Sequence, residues 1–188
     1  MKRILLATVI AVIAGARVSA QEPMSLDAMI MAAPTIVVAT VESRRAVAED
    51  YGASRLIVTH VTLRVEQSIK GSAPQTLVVE VLGGTLGDVT LHVSHVPEFR
   101  VGDRDVLFLS GAPHAVSPLV GSDQGRFRIL ADNISGQPRV LMSDFEPLLS
   151  VSQVGAERRG FARTMSDALT VDAFVTAVRD RVRTLGAR

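Results

Sequence analysis

The chain has 188 residues, with 20 basic and 19 acidic side chains, one Tyr, six Phe, and no Trp or Cys. The missing cysteines exclude thiol catalysis, cysteine-based zinc sites and disulfide support, so the fold must be held by packing alone. Residues 1–20 hold three of the basic side chains and no acidic one, which leaves 17 basic against 19 acidic and a formal charge of −2; the strong basic field of a nucleic-acid binder is absent.

The N-terminus reads as a cleavable signal peptide over residues 1–20. Met1-Lys2-Arg3 is a positive start, Ile4 to Ala16 is uncharged, and Val18-Ser19-Ala20 supplies small residues before a cut ahead of Gln21. The apolar run is shorter than the roughly 20 residues that span a bilayer. A retained N-terminal anchor is the alternative. No Cys follows the run, so a lipoprotein signal does not fit. The expected setting is secreted or periplasmic, in a bacterium, with no transmembrane segment after cleavage. Lys70 is the one lysine beyond this segment, against many arginines.

Ser25 is placed to cap a short helix from Leu26 to about Ala32, which Pro34 ends. Strand grammar follows. Thr35–Ser43 is β-branched and long enough for one strand. Arg44–Ser54 is charged, contains Gly52, and reads as a loop. Over Arg55–Gln67, Ile57, Thr59, Val61, Leu63 and Val65 share one face, and His60, Arg64 and Glu66 lie on the other. Strands are further expected over Thr76–Leu82, Val89–His95, Asp105–Ser110, Arg126–Leu130 and Arg139–Met142. Their regular spacing suits a barrel or sandwich. Residues 143–165 lose periodicity and read as a loose linker. Thr170 then caps a helix whose apolar stripe is Val171, Phe174, Val175, Val178 and Val182. That stripe either docks on the β domain or waits for a partner protein. The expected organisation is thus signal peptide 1–20, β domain 21–142, linker 143–165 and C-terminal helix 166–188.

Chemistry is sparse. His92 and His95, three apart in an expected strand, fall on opposite faces and cannot share one ion. His60 and His92 could pair across neighbouring strands, but solvated surface histidines are the plainer reading, and no metal site or cofactor is expected. There is no Gly-x-Ser-x-Gly elbow for a nucleophile. Glu80, Asp88, Glu98 and Asp103 read as strand and turn residues rather than paired catalytic acids. Gly83–Asp88 lacks the Gly-Lys-Ser/Thr ending of a phosphate loop and reads as a hairpin or bulge. The shortage of aromatic residues also argues against stacking single-stranded nucleic acid.

Three stretches carry a resemblance: Ala33–Val41; Val65-Glu66-Gln67-Ser68-Ile69-Lys70-Gly71 at the end of a long strand; and Phe99-Arg100-Val101-Gly102-Asp103-Arg104 leading into Asp105-Val106-Leu107-Phe108-Leu109. Over roughly residues 33–110 the chain resembles a group of exported bacterial proteins and, distantly, the OB-fold barrel of netrin-like domains and tissue inhibitors of metalloproteinases. Those inhibitors bind the protease zinc through an N-terminal Cys, which this chain lacks, so the resemblance implies the fold and not the inhibition.

The sequence therefore points to a mostly-β domain, an OB-like β-barrel of five to seven strands with a short N-terminal helix and a C-terminal amphipathic helix. Its expected role is a non-catalytic protein-binding module for another exported protein. The expected binding face is His60, Arg64 and Glu66, with the loops at 83–88 and 111–125. Two alternatives stand beside it: a hydrolase in which His60, His92 or His114 meets a carboxylate, and a structural envelope component that docks through its C-terminal helix.

Overall fold

The computed structural model describes residues 22–51, 54–156 and 164–186. The expected signal peptide lies outside the described residues. The protein is mostly β, with a short helix before the strands and a longer one after them. In chain order the elements are α1 (Leu26–Ala32), β1 (Thr35–Tyr51), β2 (Ser54–Lys70), β3 (Thr76–Leu82), β4 (Gly84–Leu86), β5 (Val89–Leu91), β6 (Arg104–Leu109), β7 (Arg126–Ala131), β8 (Pro138–Leu141) and α2 (Val171–Thr184). Among the described residues, no helix is long and apolar enough to cross a membrane.

Six strands form one antiparallel sheet in the order β3-β2-β1-β6-β7-β8, and β4 pairs with β5 as a separate ribbon. The strand spacing suggested a closed barrel, but the sheet is open, with β3 and β8 as its edges. The outward-facing groups of Val140 in β8 are already taken. Val140 donates its amide to the Leu169 carbonyl and accepts from the Leu148 amide. Chain from beyond the sheet thus covers the edge that β3 would need for closure.

The expected loop at Arg44–Ser54 is largely strand. β1 runs on to Tyr51 and pairs with β2 residue by residue, from Arg44↔Val61 to Tyr51↔Ser54. Among the described residues, only β2 pairs with β1 there, because β6 pairs no further along it than Thr40. β3 accompanies β2 as far as Val58, so β1 is an edge strand from Arg44 on and only its last residues form a two-stranded ribbon. Arg44, Arg45 and Asp50 are exposed there and Glu49 half-buried, and the stretch reads as loop. In the other direction, the expected strand Val89–His95 ends at Leu91. Leu86 and Val89 face each other across a turn of two residues, Gly87-Asp88. Gly87 has φ +59°, the positive value that tight hairpin turns require at their first central residue.

The sheet carries a core on each face. On one, Ile36, Val38, Val106, Phe108, Phe127, Ile129 and Val140 pack against both helices. On the other, Val37, Ala39, Val41, Val61, Leu63, Leu107 and Phe99 pack together. The first part of β1, Ile36 to Val41, and β6 from Val106 on are covered on both sides, which is why Ile36–Ala39 and Val106–Leu109 read as apolar runs. Register irregularities at Ile36/Val37, Val38/Ala39 and Val41/Ser43 bend β1 between the two cores.

Both helices begin where their caps predicted. The Ser25 hydroxyl accepts from the Ala28 amide and the Thr170 hydroxyl from the Ala173 amide, each at 3.2 Å. The stripe of α2 is buried: Val171, Phe174, Val175 and Val178 belong to the first core, and Val182 packs against it. That stripe offers no free docking surface. The expected linker is likewise packed in its described part. Leu148 and Val154 join the same core, and a 3₁₀ turn occupies Val151–Gln153. Residues 157–163 lie outside the described residues.

Candidate functional site

His60, Arg64 and Glu66 lie on β2, spread over roughly 20 Å at about 3.3 Å per residue. They do not form one cluster. Each is drawn to a different neighbour. Arg64 Nε stands 3.3 Å from Glu42 Oε1 on β1. Glu66 reaches across β1, accepting from the Thr40 hydroxyl at 2.6 Å and from Arg104 Nε and Nη2 on β6 at 2.9 and 2.7 Å. Burial alone would raise the Glu66 carboxyl. The bonds from Arg104 and Thr40, with the charges of Arg104 and Arg64, outweigh that and hold it below its ordinary range. This part of the face is a lattice of paired charges that ties three strands together.

His60 sits in a different setting. Its cross-strand partners are Arg45 on β1 and Glu80 on β3. Glu49 lies four residues beyond Arg45, hence on the same face. Ligand atoms of Glu49, His60 and Glu80 all lie within 4.8 Å of one another, and all three residues are half-buried. His60 Nε2 is 2.9 Å from Glu49 Oε1. That nitrogen is shielded from solvent, yet its contact lacks the alignment of a hydrogen bond. From the loop after β6, His114 Nδ1 comes within 3.6 Å of the other side of the group, Glu80 Oε2. The cross-strand pair of His60 with His92, which the sequence left open as the less plain reading, does not form. His92 lies past the end of β5 and is exposed, and His95 stands in a turn with φ +61°.

Beside this group runs a cleft of about 370 Å³. One wall is β3, including Leu77, Val78 and Glu80, and the other is the chain from Ser110 to Pro118. The backbone polarity of β3 follows from two bonds. Val65 donates to Gln75 O, and Ile57 accepts from Gly83, so odd-numbered residues of β2 turn their backbone groups toward β3. Their partners Leu77, Val79 and Val81 therefore point back at β2. The N–H and C=O groups of Val78 and Glu80 point outward, into the cleft. At one end, Leu82 donates its amide to Val116 O at 3.2 Å. No strand among the described residues pairs with the rest of this edge. Val78 is 54% exposed and Val116 47%.

A third polar group is internal. Arg126 is 1% exposed. Its Nη2 donates to Asp103 Oδ2 at 2.6 Å and to Asp105 Oδ2 at 2.7 Å, and its Nη1 donates to the Glu98 carbonyl at 2.6 Å. The guanidinium lies 4.4 Å from the centre of the Phe99 ring. Burial pushes the Asp105 carboxyl above its ordinary range, against the bond and charge of Arg126. This group locks the turn before β6 onto β7.

Sequence reading named His60, His114 and Glu80 separately, but it did not bring them together and did not name Glu49. Glu49 was hidden by the loop reading of 44–54. The pairing of His60 with Glu80 was within reach, because the β2–β3 partners are symmetric about position 70. The approach of His114 depends on the course of a long loop, which local patterning does not set. No protein-family model matches the chain, and no curated protein matches it.

Proposed function

We propose that this chain is an exported, non-catalytic binding module that takes an extended segment of another exported protein along the outer edge of β3. The observation that carries this reading is the unpaired, outward-facing backbone of Val78 and Glu80 opening on an apolar-walled cleft. An added strand would find main-chain hydrogen bonds there, and alternate side chains would meet Val78 and the 110–118 wall. Leu82 already bonds to Val116 in this way, which sets the position where an incoming strand must stop. The OB-like barrel remains part of the proposal as an opened form. The bends in the first part of β1 and the burial of that part on both faces support it, and small barrels of that kind bind through an open face and its loops.

The test is a selection of extended peptides from a displayed library. Wild-type protein should enrich peptides, and their binding should slow hydrogen exchange at the Val78 and Glu80 amides. Val78→Pro removes an outward donor without touching the β2–β3 ladder, so it should abolish enrichment while the protein stays folded. Undiminished binding by V78P, or no enrichment by wild type, would overturn the reading.

A further inference from the structure

We infer that Glu49, His60 and Glu80 form a site for a divalent transition-metal cation, zinc above all. The argument starts from the donors. One imidazole nitrogen and two carboxylates are a set that zinc accepts, and it does so without cysteine. The three come from three adjacent strands whose backbones are held in register, so only side-chain torsions need to change on binding. Zinc bonds of about 2.0–2.2 Å place neighbouring ligand atoms roughly 3.3 Å apart. The present group lies within 4.8 Å of one another, and rotation of the two flexible Glu side chains closes the difference.

The unloaded group is also incompletely satisfied. His60 Nε2 is screened from water and makes no aligned hydrogen bond, although Glu49 Oε1 is 2.9 Å away. Two carboxylates converge on a single imidazole. A bound cation would take the buried nitrogen as a ligand and neutralise both acids at once. Three protein ligands leave the fourth tetrahedral position to water. Glu80 also lines the cleft beside β3, so the ion would sit at its mouth. This inference does not rest on peptide binding at that edge, since its ligands are side chains on the sheet face and not backbone groups of the edge.

The experiment is calorimetric titration of metal-free, untagged protein with zinc chloride, paired with thermal melting. Wild type should bind one equivalent and melt at a higher temperature when loaded. His60→Asn and Glu80→Gln should each weaken binding by more than about tenfold, the lower end of what even an outer-shell partner costs. His92→Asn, at an exposed position outside the group, should not. Cobalt substituted for zinc should show the intense visible absorption of tetrahedral coordination in wild type and lose it in H60N. Absence of saturable binding would overturn the site. So would equal affinity in wild type, H60N and E80Q, which would place the metal elsewhere. Both variants alter half-buried polar groups, and unchanged far-ultraviolet circular dichroism verifies that each is folded before titration.

Discussion

The ammonium of Lys70 donates a 2.6 Å hydrogen bond to the carbonyl oxygen of Ile30, 40 residues earlier in the chain. The bond ties the end of β2 to the last turn of α1. Carbonyls in that turn have no partner within the helix, and the negative end of the helix dipole favours a cation there. Lys70 is 7% exposed. The next residue, Gly71, has φ +67°, and a Cβ on it would meet the Pro34 carbonyl oxygen at 2.5 Å. Lys70-Gly71 is therefore a buried anchor followed by a turn that only glycine makes easily.

Lys70→Met should keep the packing of the stem and lose the bond. The expected cost is about 1.5–3 kcal/mol, the range for hydrogen bonds to charged groups. Urea denaturation should show a lower midpoint with an unchanged slope. An unchanged midpoint would mean that Ile30 is as well served by water.

Arg126→Met should be more damaging. It strands the carboxylate of Asp105, which is 1% exposed, and removes one partner of Asp103, which keeps the Arg100 amide and Arg128. Breaking a buried ion pair from one side costs about 3–5 kcal/mol. Adding Asp105→Asn to that variant should recover part of the loss. The penalty should also depend on pH. A carboxyl whose folded pKa is raised contributes stability that is present below its unfolded value and lost as pH rises through the folded one. Asp105 is already raised, and removing Arg126 raises it further. Chemical denaturation should find R126M closer to wild type at about pH 4.5 than at about pH 7.5.

Glu66→Gln should behave in the opposite sense. The Glu66 pKa is lowered from 4.5, so its contribution is present above that value and lost as pH falls through the folded one. Melting temperatures should separate wild type from E66Q near neutral pH and converge in acid. A gap that is constant with pH would show that the carboxylate gains nothing from Arg104.

Phe174→Ala should empty the contact between α2 and the sheet. Phe174 is fully buried, and its ring centre lies 4.8 Å from that of Phe127. Large-to-small changes at such sites cost about 3–5 kcal/mol. Equilibrium denaturation should show that loss in one cooperative transition. A separate early transition for α2 would instead make the helix an appendage.

Much of the frame was legible in the sequence. The caps at Ser25 and Thr170, the stripe of α2, the alternation from Ile57 to Val65 and the glycine turn at Gly87 are local signals, and each appears where local chemistry places it. What failed was also local reasoning. The stretch from Arg44 to Asp50 sets four charges around Ala46-Val47-Ala48, so it did not resemble a strand. Leu148 and Val154 carry no period, so a packed segment resembled a linker.

The sequence by itself determined the absence of disulfides, the kinds of element and the faces they would bury, because side-chain size, charge and backbone preference act over a few residues. Only the tertiary structure decided that the sheet stays open, that Arg126 is buried between Asp103 and Asp105, and that Glu49 and Glu80 converge on His60. Those outcomes depend on strand order and register, which are set by the sum of many weak contacts between residues far apart in the chain. No short stretch of sequence contains that sum.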